Sequence, residues 1–166
     1  AWLFNPALTA IRGFEGLTWF PYDADGVVTG SFRRRAEPVG VNHLVSRKQG
    51  GLMYWIGDIQ TTIAGKPVRL RAFNYQKDWK RIDHLLVFLR DRTSGKTTYG
   101  GGRVVELHFP RGKPPQTVSL DLNTLYSFLC AHSDYFNCPI NLTDYVGTEL
   151  RYGERYPPAL RPNSED

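Results

Sequence analysis

Val68, Leu70 and Ala72 alternate with Arg69 and Arg71, and this two-residue period constrains the fold more than any other feature. Successive side chains of an extended strand point to opposite faces. The run therefore puts three apolar groups on one face and two guanidinium groups on the other, the pattern of a half-buried antiparallel strand. The same period returns downstream. Val105, Leu107 and Phe109 alternate with Val104, Glu106 and His108, and Val118, Leu120 and Leu122 resume it after Pro114-Pro115.

Other runs read as strands by composition and boundaries. Leu17 to Phe20 is short and ends at Pro21. Val27 to Phe32 and Val39 to Val45 are β-branched runs between turn residues. Leu52 to Ile63 is long and aromatic, with Gly57 marking a bulge. Leu85 to Leu89 is apolar throughout, as a central strand would be. Arg92 to Lys96 is a hairpin turn by composition. Val146 to Arg151 is expected to form a last strand, and residues 123 to 145 show no strong period. Sixteen Gly and eleven Pro in 166 residues supply the turns that such a chain needs. Asn5-Pro6 is an N-cap and first-turn proline, with Gly13 or Gly16 as the stop, so one short N-terminal helix is expected. The predicted fold is all-β: an antiparallel barrel or sandwich of about eight to ten strands with that helix. It forms a single domain over residues 1–156, followed by a polar tail, 157–166.

The formal net charge is +5. Its basic residues fall in small separate groups, such as Arg33-Arg34-Arg35 and Lys77 to Arg81, and not in the aromatic-interleaved stripe of a nucleic-acid binder. No apolar run approaches the ~20 residues of a membrane span. There is no signal-peptide pattern, and Ala1 in place of Met reads as a processed or trimmed start. The compartment stays open, with the cytoplasm as the default expectation.

Special residues crowd into Thr97 to Pro139. Three stretches in it accompany two further ones upstream: Gly16-Leu17-Thr18-Trp19-Phe20-Pro21-Tyr22-Asp23, and Val87-Phe88-Leu89-Arg90-Asp91 with Thr93, Gly95 and Lys96. The three are Thr98-Tyr99-Gly100-Gly101-Gly102-Arg103 with Leu107, Asp121-Leu122-Asn123 with Tyr126, and Cys130-Ala131 with Cys138-Pro139. In this order, over roughly residues 5 to 150, the chain resembles the prokaryotic family known as domain of unknown function 1684. It departs from the family pattern at Ser127-Phe128-Leu129, where members tend to carry prolines. The resemblance implies a compact β-rich domain and assigns no activity.

The residues themselves offer three constellations. Tyr99, Gly100, Gly101, Gly102 and Arg103 have the makings of an anion cradle: glycines free backbone N–H groups to converge, and an arginine clamps an oxyanion. Asn123 would join Tyr99 in orienting the ligand from a neighbouring hairpin strand. The competing reading is a glycine-rich bulge where backbones pack closely. Glu106 and His108 share a strand face, and with Asp121 on an adjacent strand they would make a carboxylate–imidazole acid–base set. Cys130 and Cys138 are a disulfide or close thiol pair, buried free thiols, or ligands with His132 and either His108 or Asp134. Their spacing is wider than C-x-x-C, so no metal is assigned.

The leading reading is a binding or assembly module for a small anionic ligand. An enzyme is the second: either a flavin or other phosphate-bearing cofactor in an arginine-lined site, or a hydrolytic Glu-His-Asp set. The third is an accessory subunit or homo-oligomer, with the tail ordered against its partner. No motif names a cofactor.

Overall fold

The longest strand is Val27–His43, here β2. It joins two runs that the sequence separates at Arg33 to Pro38. The chain stays extended there because a register shift between Arg34 and Val39 absorbs the extra residues against Gly51–Ile63, β3. The computed structural model describes residues 16–43, 51–77, 82–109, 114–132, 136, 139 and 141–156. The expected helix (residues 5 to 16) lies outside them apart from Gly16, and so does the tail 157–166.

Among the described residues there are ten strands and no α-helix. The remaining strands are Thr18–Trp19 (β1), Lys66–Asn74 (β4), His84–Arg90 (β5), Arg103–His108 (β6), Thr117–Asp121 (β7), Tyr126–Ser127 (β8), Asp144–Tyr145 (β9) and Glu154–Arg155 (β10). One sheet runs β7-β2-β3-β4-β5-β6-β8 and is antiparallel throughout, with β9 added in parallel to β5. A second, two-stranded sheet pairs β1 with β10. The all-β antiparallel expectation stands, but the barrel does not. The sheet curls until β6 and β7 touch, yet no ladder joins them. The expected hairpin pairing of these two strands is corrected as well, because β7 pairs with β2 and β6 pairs with β5 and β8. The run 146 to 151 is not a strand; β9 and β10 flank it instead.

Gly57 sits at a bulge where Ile56 is extra between the pairs Trp55–Phe73 and Gly57–Ala72. A Cβ there would lie 2.7 Å from the Phe32 ring, so only glycine lets β2 and β3 approach. The β3–β4 hairpin turns on Ala64 and Gly65, both at positive φ (49° and 75°). That is the geometry of a type I′ turn, in which asparagine is favoured at the first position. Ala64→Asn is expected to stabilise the fold by about 0.5–1 kcal/mol. Differential scanning calorimetry should show a rise of roughly 2–4 °C, and a fall would contradict the turn assignment.

The curled sheet encloses one core, built from Ile56, Ile59, Leu70, Leu85, Val87, Leu89, Val105, Leu107 and Leu120. A second apolar layer lies on the outer face and holds Met53, Phe73, Leu86, Phe88, Val104, Phe128 and Leu142. β5 contributes to both, which is why Leu85 to Leu89 is apolar at every position.

Candidate functional site

Arg103 opens β6 with the same parity as Val105 and Leu107, so its side chain turns inward. It is 1% exposed. Its Nη2 donates to Asp91 Oδ2 at 2.9 Å and to the Leu150 carbonyl at 2.9 Å. Its Nη1 donates to the carbonyls of Tyr152 and Glu154. Burial pushes the guanidinium below its ordinary value, and the nearby Asp91 and Glu154 charges oppose that shift. Both terminal nitrogens that were expected to clamp an anion donate to acceptors inside the protein, and the side chain is buried away from solvent.

The network continues outward from Asp91. Its Oδ1 accepts from the Thr93 amide at 2.7 Å, the Thr93 hydroxyl at 2.5 Å and the Leu150 amide at 3.3 Å. Thr93 and Thr98 share a hydroxyl–hydroxyl bond of 2.9 Å. Buried Glu154 accepts from the Ser127 amide at 2.8 Å, and its other oxygen lies 2.9 Å from His132 Nε2, an ion pair when that imidazole is protonated. These contacts lock the β5–β6 connection, residues 91–102, to the segment that carries β10.

The glycines serve the same connection. Gly102, at φ +111°, packs so close to β5 that a Cβ would lie 2.8 Å from the Leu89 carbonyl oxygen. Its amide donates to the Tyr99 carbonyl. Tyr99 meets Tyr156 and Phe128 edge-on, at centroid distances of 5.3 and 6.3 Å. Asn123 does not join this group. It exchanges hydrogen bonds with the Asp23 backbone, and its Nδ2 donates to Asp121 Oδ1 at 2.9 Å. That clasp fastens the segment after β1 to the turn after β7.

Glu106 and His108 do lie together, with His108 Nε2 3.4 Å from Glu106 Oε2. Asp121 is not with them. It caps a 3-10 turn by accepting from the Asn123 amide at 3.0 Å, and its strand pairs with β2. The three-residue acid–base set is therefore not assembled. The third member beside Glu106 is Tyr126, whose hydroxyl donates to Glu106 Oε1. Burial, then this hydrogen bond, then the Glu106 charge raise the Tyr126 phenol well above its ordinary value. Tyr75, Tyr99 and Tyr152 shift the same way, each chiefly through burial. A phenol that holds its proton more tightly when folded contributes stability that is full below its unfolded value of 10.0 and is lost as pH rises past it. Thermal midpoints should stay level from neutral pH to about 9.5 and fall above that. Tyr126→Phe should flatten part of the fall, and an unchanged fall would remove Tyr126 from the linkage.

Cys130 is disulfide-bonded, and the chain's other cysteine, Cys138, lies outside the described residues, as does Asp134. A bonded Cys130 has no thiolate to give a metal, and His132 is turned to Glu154. Among the described residues no three metal-ligating side chains come together.

The locked connection presents its outer residues to solvent. Arg92, Lys96 and Thr97 face Arg151 and Arg155 across a pocket of about 230 Å³, with Phe20, Thr93 and Glu149 completing the lining. The Phe20 amide bonds the Gly153 carbonyl at 2.9 Å and the Tyr156 amide bonds the Thr97 carbonyl at 2.9 Å, so both walls are tied to the fold. Glu149 pairs with Arg151 at 3.0 Å. Arg155 lies over the Phe20 ring, 5.4 Å from its centroid. Among the described residues, no carboxylate pairs with the side chains of Arg92, Lys96 or Arg155.

The family model described as "Protein of unknown function (DUF1684)" matches residues 12–155. The chain belongs to this family. A solved structure, the solution NMR structure of an uncharacterized protein of Haloarcula marismortui, is similar: 29% identical, TM-score 0.70, covering 90% of this chain and 82% of that one. No curated protein matches significantly. Among the described residues no helix is long and apolar enough to cross a membrane.

In this DUF1684 member the glycine–arginine stretch frames the β5–β6 connection. The basic pocket built on that frame escaped the sequence reading. Its cations come from two segments more than fifty residues apart, and none belongs to the basic clusters visible along the chain. The available signal was Arg92 and Lys96 flanking a turn whose other members, Thr93 and Gly95, carried the family resemblance.

Proposed function

We propose that this protein is a binding module for a small anion, held in the pocket between the β5–β6 connection and β10. The observation that carries this reading is the convergence of four cationic side chains on one concave site with a single carboxylate among them. Three of those cations have no carboxylate partner among the described residues. Surface cations usually disperse, because like charges at close range repel. Holding them together favours an anion that neutralises them. Thr97 adds a hydroxyl donor, and Arg92 and Arg155 supply planar forks suited to phosphate or carboxylate oxygens. At about 230 Å³ the pocket is smaller than a typical drug-sized site. A phosphate monoester or a small di- or tricarboxylate fits better than a dinucleotide. The net charge of +5 raises the local concentration of such ligands.

Isothermal titration with inorganic phosphate, pyrophosphate and citrate at low salt tests the proposal. At least one should bind, more weakly as salt rises. Lys96→Ala or Arg92→Ala should weaken it roughly tenfold, the loss of one charge-assisted hydrogen bond of about 1.5 kcal/mol. Arg92→Glu with Lys96→Glu should abolish it. No binding by the wild type, or binding unchanged in the double variant, would overturn the assignment.

A further inference from the structure

A second cleft, of about 290 Å³, opens on the outer layer of the sheet over β5, β6 and β8. It is independent of the basic pocket, and its chemistry is the opposite. Tyr75, Phe88, Tyr126, Phe128 and Phe136 supply aromatic walls, and Glu106 is the only carboxylate among the described lining residues. Among the described residues no lysine or arginine lines it, and the one histidine there, His84, has Nδ1 tied to Asp83 Oδ1 at 2.8 Å.

Glu106 is held in a fixed orientation at the cleft wall. Its side chain is 33% exposed, and Tyr126 fixes one of its oxygens. The other oxygen looks toward His108, whose side chain is 71% exposed and stands 3.4 Å away. Among the described residues no lysine or arginine pairs with the carboxylate. Its negative field reaches both flanking phenols, which it helps to raise. An oriented carboxylate among aromatic faces attracts an organic cation twice, once through its charge and once through the ring quadrupoles. An anion or a neutral sugar gains neither.

We propose that the Glu106–Tyr126 cleft binds a small organic ammonium, with its charged head against Glu106 and its methyl or methylene groups against the rings of Tyr75 and Tyr126. The volume suits a head the size of trimethylammonium with a short chain. Such a head is weakly hydrated and enters an aromatic cleft at little desolvation cost.

The probes are choline and its neutral carbon isostere 3,3-dimethylbutan-1-ol, titrated into the intact protein at neutral pH by NMR. Choline should bind at least about tenfold more tightly than the alcohol. Glu106→Gln, which keeps a partner for the Tyr126 hydroxyl, should bring the two within about twofold. Tyr75→Ala, at an exposed and non-core position, should weaken choline about three- to fivefold. The basic-pocket substitutions should leave choline binding unchanged. If Glu106→Gln fails to fold, the isostere comparison on the wild type and the Tyr75→Ala titration still decide. Absence of choline binding, equal binding of the alcohol, or a choline affinity unmoved by Tyr75→Ala would overturn the proposal.

Discussion

Arg103→Met is expected to cost about 3–5 kcal/mol, because it strands the buried Asp91 carboxylate without a cation. Domains of this kind are stable by only about 5–15 kcal/mol, so the variant should unfold near room temperature or fail to accumulate. The effect comes from what is left behind. Arg103 and Asp91 have side-chain exposures of 1% and 0%, and water cannot replace the lost partner. Arg103→Lys should recover little. One ammonium cannot reproduce a fork that donates to Asp91 Oδ2 and to the carbonyls of Leu150, Tyr152 and Glu154 at once. A double-mutant cycle with Asp91→Asn gives the sharper reading. Removing both charges should be less damaging than the sum of the single changes by at least about 1 kcal/mol. Urea denaturation measures each corner. A single Arg103→Met variant within about 0.5 kcal/mol of wild type would mean that the network does not hold the fold.

The same residue shows how far the sequence could be read. The strands were legible because period two survives wherever a strand has one wet face. The Leu85 to Leu89 run was legible because a strand covered on both sides loses that alternation. The parity argument that found β6 also implied that Arg103 points inward with Val105 and Leu107. An arginine beside three glycines suggested a ligand instead, and only its partner shows otherwise. Asp91 lies twelve residues back, on the far side of the connection. What stayed illegible is the part without a period. Among the described residues between Leu122 and Tyr156 the elements are 3-10 turns and two-residue strands, held by side-chain-to-backbone bonds such as Asn123 to Asp23 that leave no regular spacing. Both candidate sites draw on this region. Glu106 was found, while Tyr126 was missed, because β8 pairs with β6 over only two residues.

Gly102→Ala should destabilise the protein by roughly 2–5 kcal/mol, while Gly100→Ala should be within about 0.5 kcal/mol of wild type. The glycine run reads as one motif, but its members stand in different surroundings. At Gly102 the backbone has φ +111°, and an added Cβ would lie 2.8 Å from the Leu89 carbonyl oxygen and 2.9 Å from Thr143 Cγ2. The first of these is backbone in the central strand and cannot yield. At Gly100 the nearest atom would be Gly95 Cα at 3.6 Å, an ordinary contact, and φ is not positive. A cradle of backbone donors would make the residues comparable, since each amide would face the ligand. A hinge packed against β5 makes Gly102 indispensable and leaves Gly100 replaceable. Chemical denaturation of the two variants separates these accounts. Because the connection carries Arg92, Lys96 and Thr97, Gly102→Ala should also weaken phosphate or citrate binding, without touching a residue of the pocket. Equal stability of the two variants would return the glycines to the role of ligand donors.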